Sequence, residues 1–153
     1  MKLSEHLDLS EIIRSESAKR NGISNMPTPE HIENLKALAE KIFEPIRNHF
    51  KVPIRVSSGY RSKELNTFIK GSLSSQHCKG QAIDIDMDGG TISNKQVFDF
   101  INDHLQFDQL IYEFGDNDNP DWIHVSFNRH GQQRRQVLKA YKLNGQTKYF
   151  TYA

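Results

Sequence analysis

With 20 basic and 19 acidic side chains, this chain of 153 residues carries a formal charge of +1, which excludes nucleic-acid binding by bulk positive charge. Its one cysteine excludes an internal disulfide framework, and no stretch approaches the length of a transmembrane helix. The length and a 36% hydrophobic content suit a single soluble domain, residues 1–153, with its own core.

The first predicted element is a short helix through Leu9-Ser10-Glu11-Ile12-Ile13, with Ser10 as its N-cap and Asn21-Gly22 as its end. A longer helix follows, with Thr28 as cap, Pro29 at its first position and Glu30 near the positive end of the dipole. Its apolar residues Ile32, Leu35, Leu38, Ala39, Ile42, Phe43 and Ile46 recur at three- and four-residue steps. Pro45 within that run predicts a kink or an end near Glu44. Pro53–Ser58 reads as a strand, Gly59-Tyr60-Arg61 as a turn, and Ser62 as the cap of a helix from Lys63 to about Lys70, stopped by Gly71.

Beyond the loop Ser72–Ser75 comes the stretch on which the chain is organised, Ser75-Gln76-His77-Cys78-Lys79-Gly80-Gln81-Ala82-Ile83-Asp84-Ile85-Asp86. It reads as a loop turning at Gly80 into a buried strand. A carboxylate in the middle of such a strand is costly to bury unless positive charge sits against it. A zinc ion supplies that charge and accepts both His nitrogen and Asp oxygen. Later, Ser93 and Gln96 form a capping box for a helix to about His104, with Val97, Phe98 and Ile101 inward. Strands are expected at Gln109–Glu113 and Trp122–Phe127, separated by the polar turn Gly115–Pro120. His124 inside the second of these is the third candidate ligand, so His77, Asp84 and His124 have the ligand count of a catalytic zinc site. The bland rival is that both are ordinary histidines. A hairpin closes the chain: Val137–Leu143, the tight turn Asn144-Gly145, then Lys148–Tyr152. Helices first and hairpin-like strands later give an α+β domain.

Ser-x-His-x-x-Gly-x-Ala-x-Asp over Ser75–Asp84, followed by Asp-x-x-His over Asp121–His124, resembles the zinc D-Ala-D-Ala carboxypeptidase family of peptidoglycan metallopeptidases. That family includes phage endolysins cutting L-Ala-D-Glu bonds and shares a fold with the amino-terminal signalling domain of hedgehog proteins. The resemblance implies an antiparallel sheet with helices packed against it and Zn2+ on His77, Asp84 and His124. It implies a zinc peptidase acting on peptidoglycan stem peptides; a monomer is expected. It also implies Asp121 as general base, Arg61 facing substrate, either on a carboxylate or on the oxyanion, and Ser75 near the site. In a straight strand Asp121 and His124 face opposite ways, so the base role needs a bend between Asp121 and Trp122. Glu113, ending an apolar strand, is the rival base or a hydrogen-bond partner for a ligand histidine. Many members carry His-x-His at the last ligand; here the first of those positions is Trp122, a candidate wall of the substrate pocket. The endolysin reaction and a non-catalytic zinc-bearing module are the alternative functions.

Two other readings are set aside. Cys78 in an extended chain points away from His77. Asp84, Asp86, Asp88 and Gly89 match the opening of a calcium loop, but its twelfth position is Lys95 rather than glutamate. Asp86 is expected beside the site or on the surface. The polar start Met1–His6 lacks the apolar core of a signal peptide, so the expectation is a protein cytoplasmic at synthesis that meets the cell wall after release or delivery.

Overall fold

The computed structural model describes residues 1–153 and begins with a pair of strands that no sequence signal announces, β1 (Lys2–Ser4) against β2 (Leu7–Asp8). Glu44 holds their turn from the neighbouring helix: its carboxylate accepts from Ser4 Oγ at 2.6 Å and from the His6 backbone N–H at 2.7 Å. Helix α1 (Leu9–Ile13) is capped by Asp8, not Ser10. Leu9 is already helical, so the cap falls one residue before it, and Glu11 reaches back to the Asp8 N–H at 3.0 Å to close a capping box. The expected single helix is also two. Arg14 is extended, and Ser15 caps a second helix, α2 (Glu16–Arg20).

Helix α3 (Pro29–Leu38) starts as its cap and proline predict, with Thr28 Oγ1 accepting from the His31 N–H. Pro45 does not end the helical run. Ala39–Phe43 forms a π turn in which the Glu44 N–H reaches Ala39 O, five residues back, and α4 (Glu44–Phe50) continues from there. The widened turn loosens the ladder just where proline lacks its N–H, and so absorbs it.

After α4 come β3 (Val56–Ser58), α5 (Lys63–Phe68), β4 (Ala82–Ile85), α6 (Asn94–His104), β5 (Gln109–Glu113), β6 (Trp122–Ser126), β7 (Gln136–Leu143) and β8 (Gln146–Thr151). Both α5 and α6 carry the predicted caps, Ser62 and the Ser93/Gln96 box. The six strands lie in the order β3-β4-β6-β5-β7-β8. Every neighbouring pair is antiparallel except β5–β7. That parallel pair follows from β6 filling the slot between β4 and β5, which sends the chain across to the far edge of β5. Asn144 and Gly145 both take positive φ, 52° and 79°, in the two-residue turn that joins β7 to β8.

Alternation divides the sheet into two faces. Ile83 and Ile85 of β4, Leu110 and Tyr112 of β5, and Ile123 and Val125 of β6 join one core with residues of α3, the π turn, α4 and α6. Each such fully buried aliphatic side chain contributes roughly 1.5–3 kcal/mol. The intervening residues, among them Asp84, Ile111, Glu113, Trp122 and His124, fall on the other face. This is the α+β architecture expected, with helices covering one face and chemistry left on the other.

Candidate metal centre

Asp84 and His124 are direct cross-strand partners on β4 and β6, so their side chains leave the sheet side by side. His77 comes to them from a short 3-10 helix, Gln76–Lys79. Ser75 caps it, its Oγ accepting from the His77 N–H. Gly80 ends it at φ +71°, where a Cβ would also meet the His31 carbonyl oxygen at 2.6 Å. The His77 Nδ1–H donates to the Gly59 carbonyl at 2.7 Å. That bond sets the tautomer and leaves Nε2 for the site. His77 Nε2 lies 3.2 Å from Asp84 Oδ1, and His124 Nδ1 lies 3.1 Å from the same oxygen. The three donor atoms are all within 4.8 Å of one another.

This set fits zinc in number and in type. Burial opposes the charge on Asp84, but the two imidazoles outweigh it and hold the carboxyl well below the usual carboxylate range. The carboxylate therefore presents negative charge to whatever stands between the histidines. His77 is buried, and His124 Nε2 is buried without a partner.

The same face opens into a cleft of about 850 Å³. Its floor is the site face of β4, β6, β5 and β7; Arg61 and the Ser72–Gln76 segment form one side, and Lys142, Thr147 and Tyr149 of the final hairpin reach it from the other. Glu113 lines this cleft, is only 7% exposed, and sits level with Trp122 and Ala140 in the ladder. Burial, reinforced by the negative charge of Asp84, raises its carboxyl from 4.5 to about 7. A carboxylic acid at that value is poised to accept and return a proton near neutrality.

Asp121 is placed differently. It is exposed and does not line the cleft. Its backbone N–H donates to Glu113 O at 2.9 Å and its carbonyl accepts from Asn94 Nδ2 at 3.0 Å, which anchors the chain where β6 begins. Trp122 and His124 share the site face, whereas Asp121 stands at a bend just before β6 with its side chain exposed.

Arg61 lines the cleft, and its Nη2 donates to Ser75 Oγ at 3.1 Å. Its Nε is buried without a partner. Its backbone N–H donates to the His77 carbonyl at 3.2 Å, so Arg61 and Ser75 both brace the 3-10 turn as well as facing the cleft. Trp122 lines the cleft with its ring against Phe114, centroids 5.4 Å apart. Cys78 is half-buried and outside the donor group, and burial raises its thiol. The local chain is helical rather than extended, so it diverges from His77 by the rotation of a 3-10 turn. Asp86 serves structure: it accepts from the Asp88 N–H and from Asn94 Nδ2, and lies 3.6 Å from Arg55 Nη2.

Sequence reasoning missed the hairpin's share of the cleft, namely Gln136, Leu138, Lys142, Thr147 and Tyr149. The alternation of β7 and β8 was a signal for which residues share a face, but nothing local says that the hairpin joins the edge of β5. A sequence model of the family described as Peptidase M15 matches residues 5–126. The match spans His77, Asp84, His124, Arg61 and Glu113 and stops before β7. No curated protein matches the chain.

Proposed function

The chain belongs to the Peptidase M15 family, whose members are zinc-dependent peptidases, and on that premise we propose that it hydrolyses peptidoglycan stem peptides as a D-Ala-D-Ala carboxypeptidase. The observation that carries this reading is the convergence of His77, Asp84 and His124 in one cleft with a buried Glu113 raised to about 7. His77, Asp84 and His124 would hold the zinc, which supplies Lewis acidity toward the scissile carbonyl and makes water a readier nucleophile. Glu113 takes the proton from the attacking water and returns it to the leaving amine. Gly59 keeps the His77 ring in the orientation the site needs, through the Nδ1–H bond. Arg61 binds the terminal carboxylate of the substrate in a forked pair.

Digestion of purified muropeptides, read by mass spectrometry, tests this. Loss of one terminal D-Ala is the expected product, and amidated peptides should be poor substrates. Arg61→Lys should raise KM strongly for free-ended peptides, because lysine lacks the planar fork. Efficient cleavage within the stem of a substrate whose terminal carboxylate is blocked would overturn the carboxypeptidase reading. It would install the second reading, hydrolysis of L-Ala-D-Glu. One observation favours that alternative: the cleft, about 850 Å³, continues past the donors to β8 and has room for residues on both sides of the bond. Arg61→Lys would then lower kcat with little change in KM, as expected of an oxyanion contact.

A further inference from the structure

The family match ends at residue 126, yet the cleft does not. The hairpin β7–β8 adds two strands to the sheet, and its site-face side chains complete the wall opposite Arg61. Four of those side chains are polar: Gln136, whose amide oxygen accepts from Gln109 Nε2, and Lys142, Thr147 and Tyr149. The register separates them. Glu113 pairs with Ala140, and Ala140 pairs with Tyr149, so Glu113 and Tyr149 stand in one cross-strand row, two strand spacings of about 4.8 Å apart. Lys142 pairs with Thr147 further along the hairpin, past the end of β5. Between Glu113 and Tyr149 only the methyl group of Ala140 intervenes, which leaves the row open for a long side chain to lean across.

We propose that Tyr149 is a substrate-contacting residue of this cleft, donating its phenolic hydrogen to the carbonyl oxygen of the peptide bond under attack. The proposal rests on the peptidase reading and adds to it a hydrogen-bond donor from outside the matched residues. The other cation on this side, Arg134, is committed, since its Nε and Nη2 hold Asp108. Tyr149 lines the cleft and is 53% exposed, so its hydroxyl is available to a ligand. Burial first, then the negative charges of Glu113 and Asp84, raise its phenol, so it keeps its proton at neutral pH. A donor aimed at developing negative charge acts chiefly in the transition state.

The test compares zinc-loaded wild type with Tyr149→Phe, which keeps the ring and removes the donor. The expected result is a loss in kcat on the order of tenfold to a hundredfold, with KM nearly unchanged. Binding is read separately, in a Glu113→Gln background, from the fluorescence of Trp122, the chain's one tryptophan and a lining residue of the cleft. Adding Tyr149→Phe there should leave stem-peptide affinity within about threefold, since a transition-state contact contributes little to ground-state binding. Turnover of stem peptides by wild type with an equal kcat in Tyr149→Phe would overturn this inference alone. Weakened binding at unchanged kcat would overturn it too. A zinc-loaded wild type that turns over no stem peptide would overturn the peptidase reading and this inference with it.

Discussion

Glu113 and Asp121 are joined by a backbone hydrogen bond, yet the Glu113 side chain lines the cleft and the Asp121 side chain is exposed outside it. The proton-transfer role therefore separates them cleanly. Glu113→Gln should retain zinc and fold but lose at least about a hundredfold in kcat, since an amide accepts no proton. Asp121→Asn should stay close to wild type; turnover and metal content of both variants check this. Glu113 also has a pH signature in chelated protein. Its folded value, about 7, exceeds its ordinary 4.5, so the folded state binds more protons across that window. Its contribution to stability is thus most favourable below pH 4.5, declines as pH rises toward 7, and is level above. Glu113→Gln removes the decline. In urea titrations the chelated variant should gain on wild type by a few kcal/mol between pH 4 and pH 8. The three ligands were legible because spacing and strand context agree for each. Asp121 and Glu113 were both legible as candidate bases, but which of them lines the cleft was not, because Asp121 is near His124 along the chain whereas Glu113 is near it across the sheet, and strand pairing is not written in local spacing.

Individual elements position the metal donors as tightly as the donors position each other. Gly59, just beyond β3, is the link. A Cβ there would lie 2.5 Å from the Ile12 carbonyl oxygen, and the Gly59 carbonyl is the acceptor for His77 Nδ1–H. Gly59→Ala must push β3 away from α1 and carry that acceptor with it. A loss of roughly tenfold to a hundredfold in zinc affinity is expected, measurable by competition with a chromogenic chelator. A lower Tm should accompany it, from a substitution costing about 1–3 kcal/mol. Caps and alternation made most elements legible: Thr28, Ser62 and the Ser93/Gln96 box start the helices they were expected to start. The misses have local physical causes. Asp8 outcompetes Ser10 because Glu11 completes a box only with Asp8, and Pro45 is absorbed by a π turn that no propensity rule anticipates.

At the scale of the molecule, the donors tie a 3-10 turn to two central strands, so metal should stabilise the whole fold. With free zinc about a thousandfold above its Kd, the gain is about 4 kcal/mol, and chelation should lower Tm accordingly. His77→Ala, Asp84→Ala or His124→Ala should each reduce both the bound zinc and this shift; full zinc occupancy in the triple variant would remove the metal assignment. Sheet order was the part the sequence concealed, since β6 entering between β4 and β5 is a choice among distant partners. That same insertion sets a timetable. Asp84 and His124 are 40 positions apart and become neighbours only when the β4–β6 ladder closes, whereas His77 and Asp84 are near from the start. A refolding chain thus offers the metal two donors early and the third late, after the loop-closure entropy has been met. Because Trp122 rides on β6, its fluorescence and zinc capture should rise in one shared kinetic phase, and the metal would then act as a lock turned after the ladder closes rather than as a seed for it.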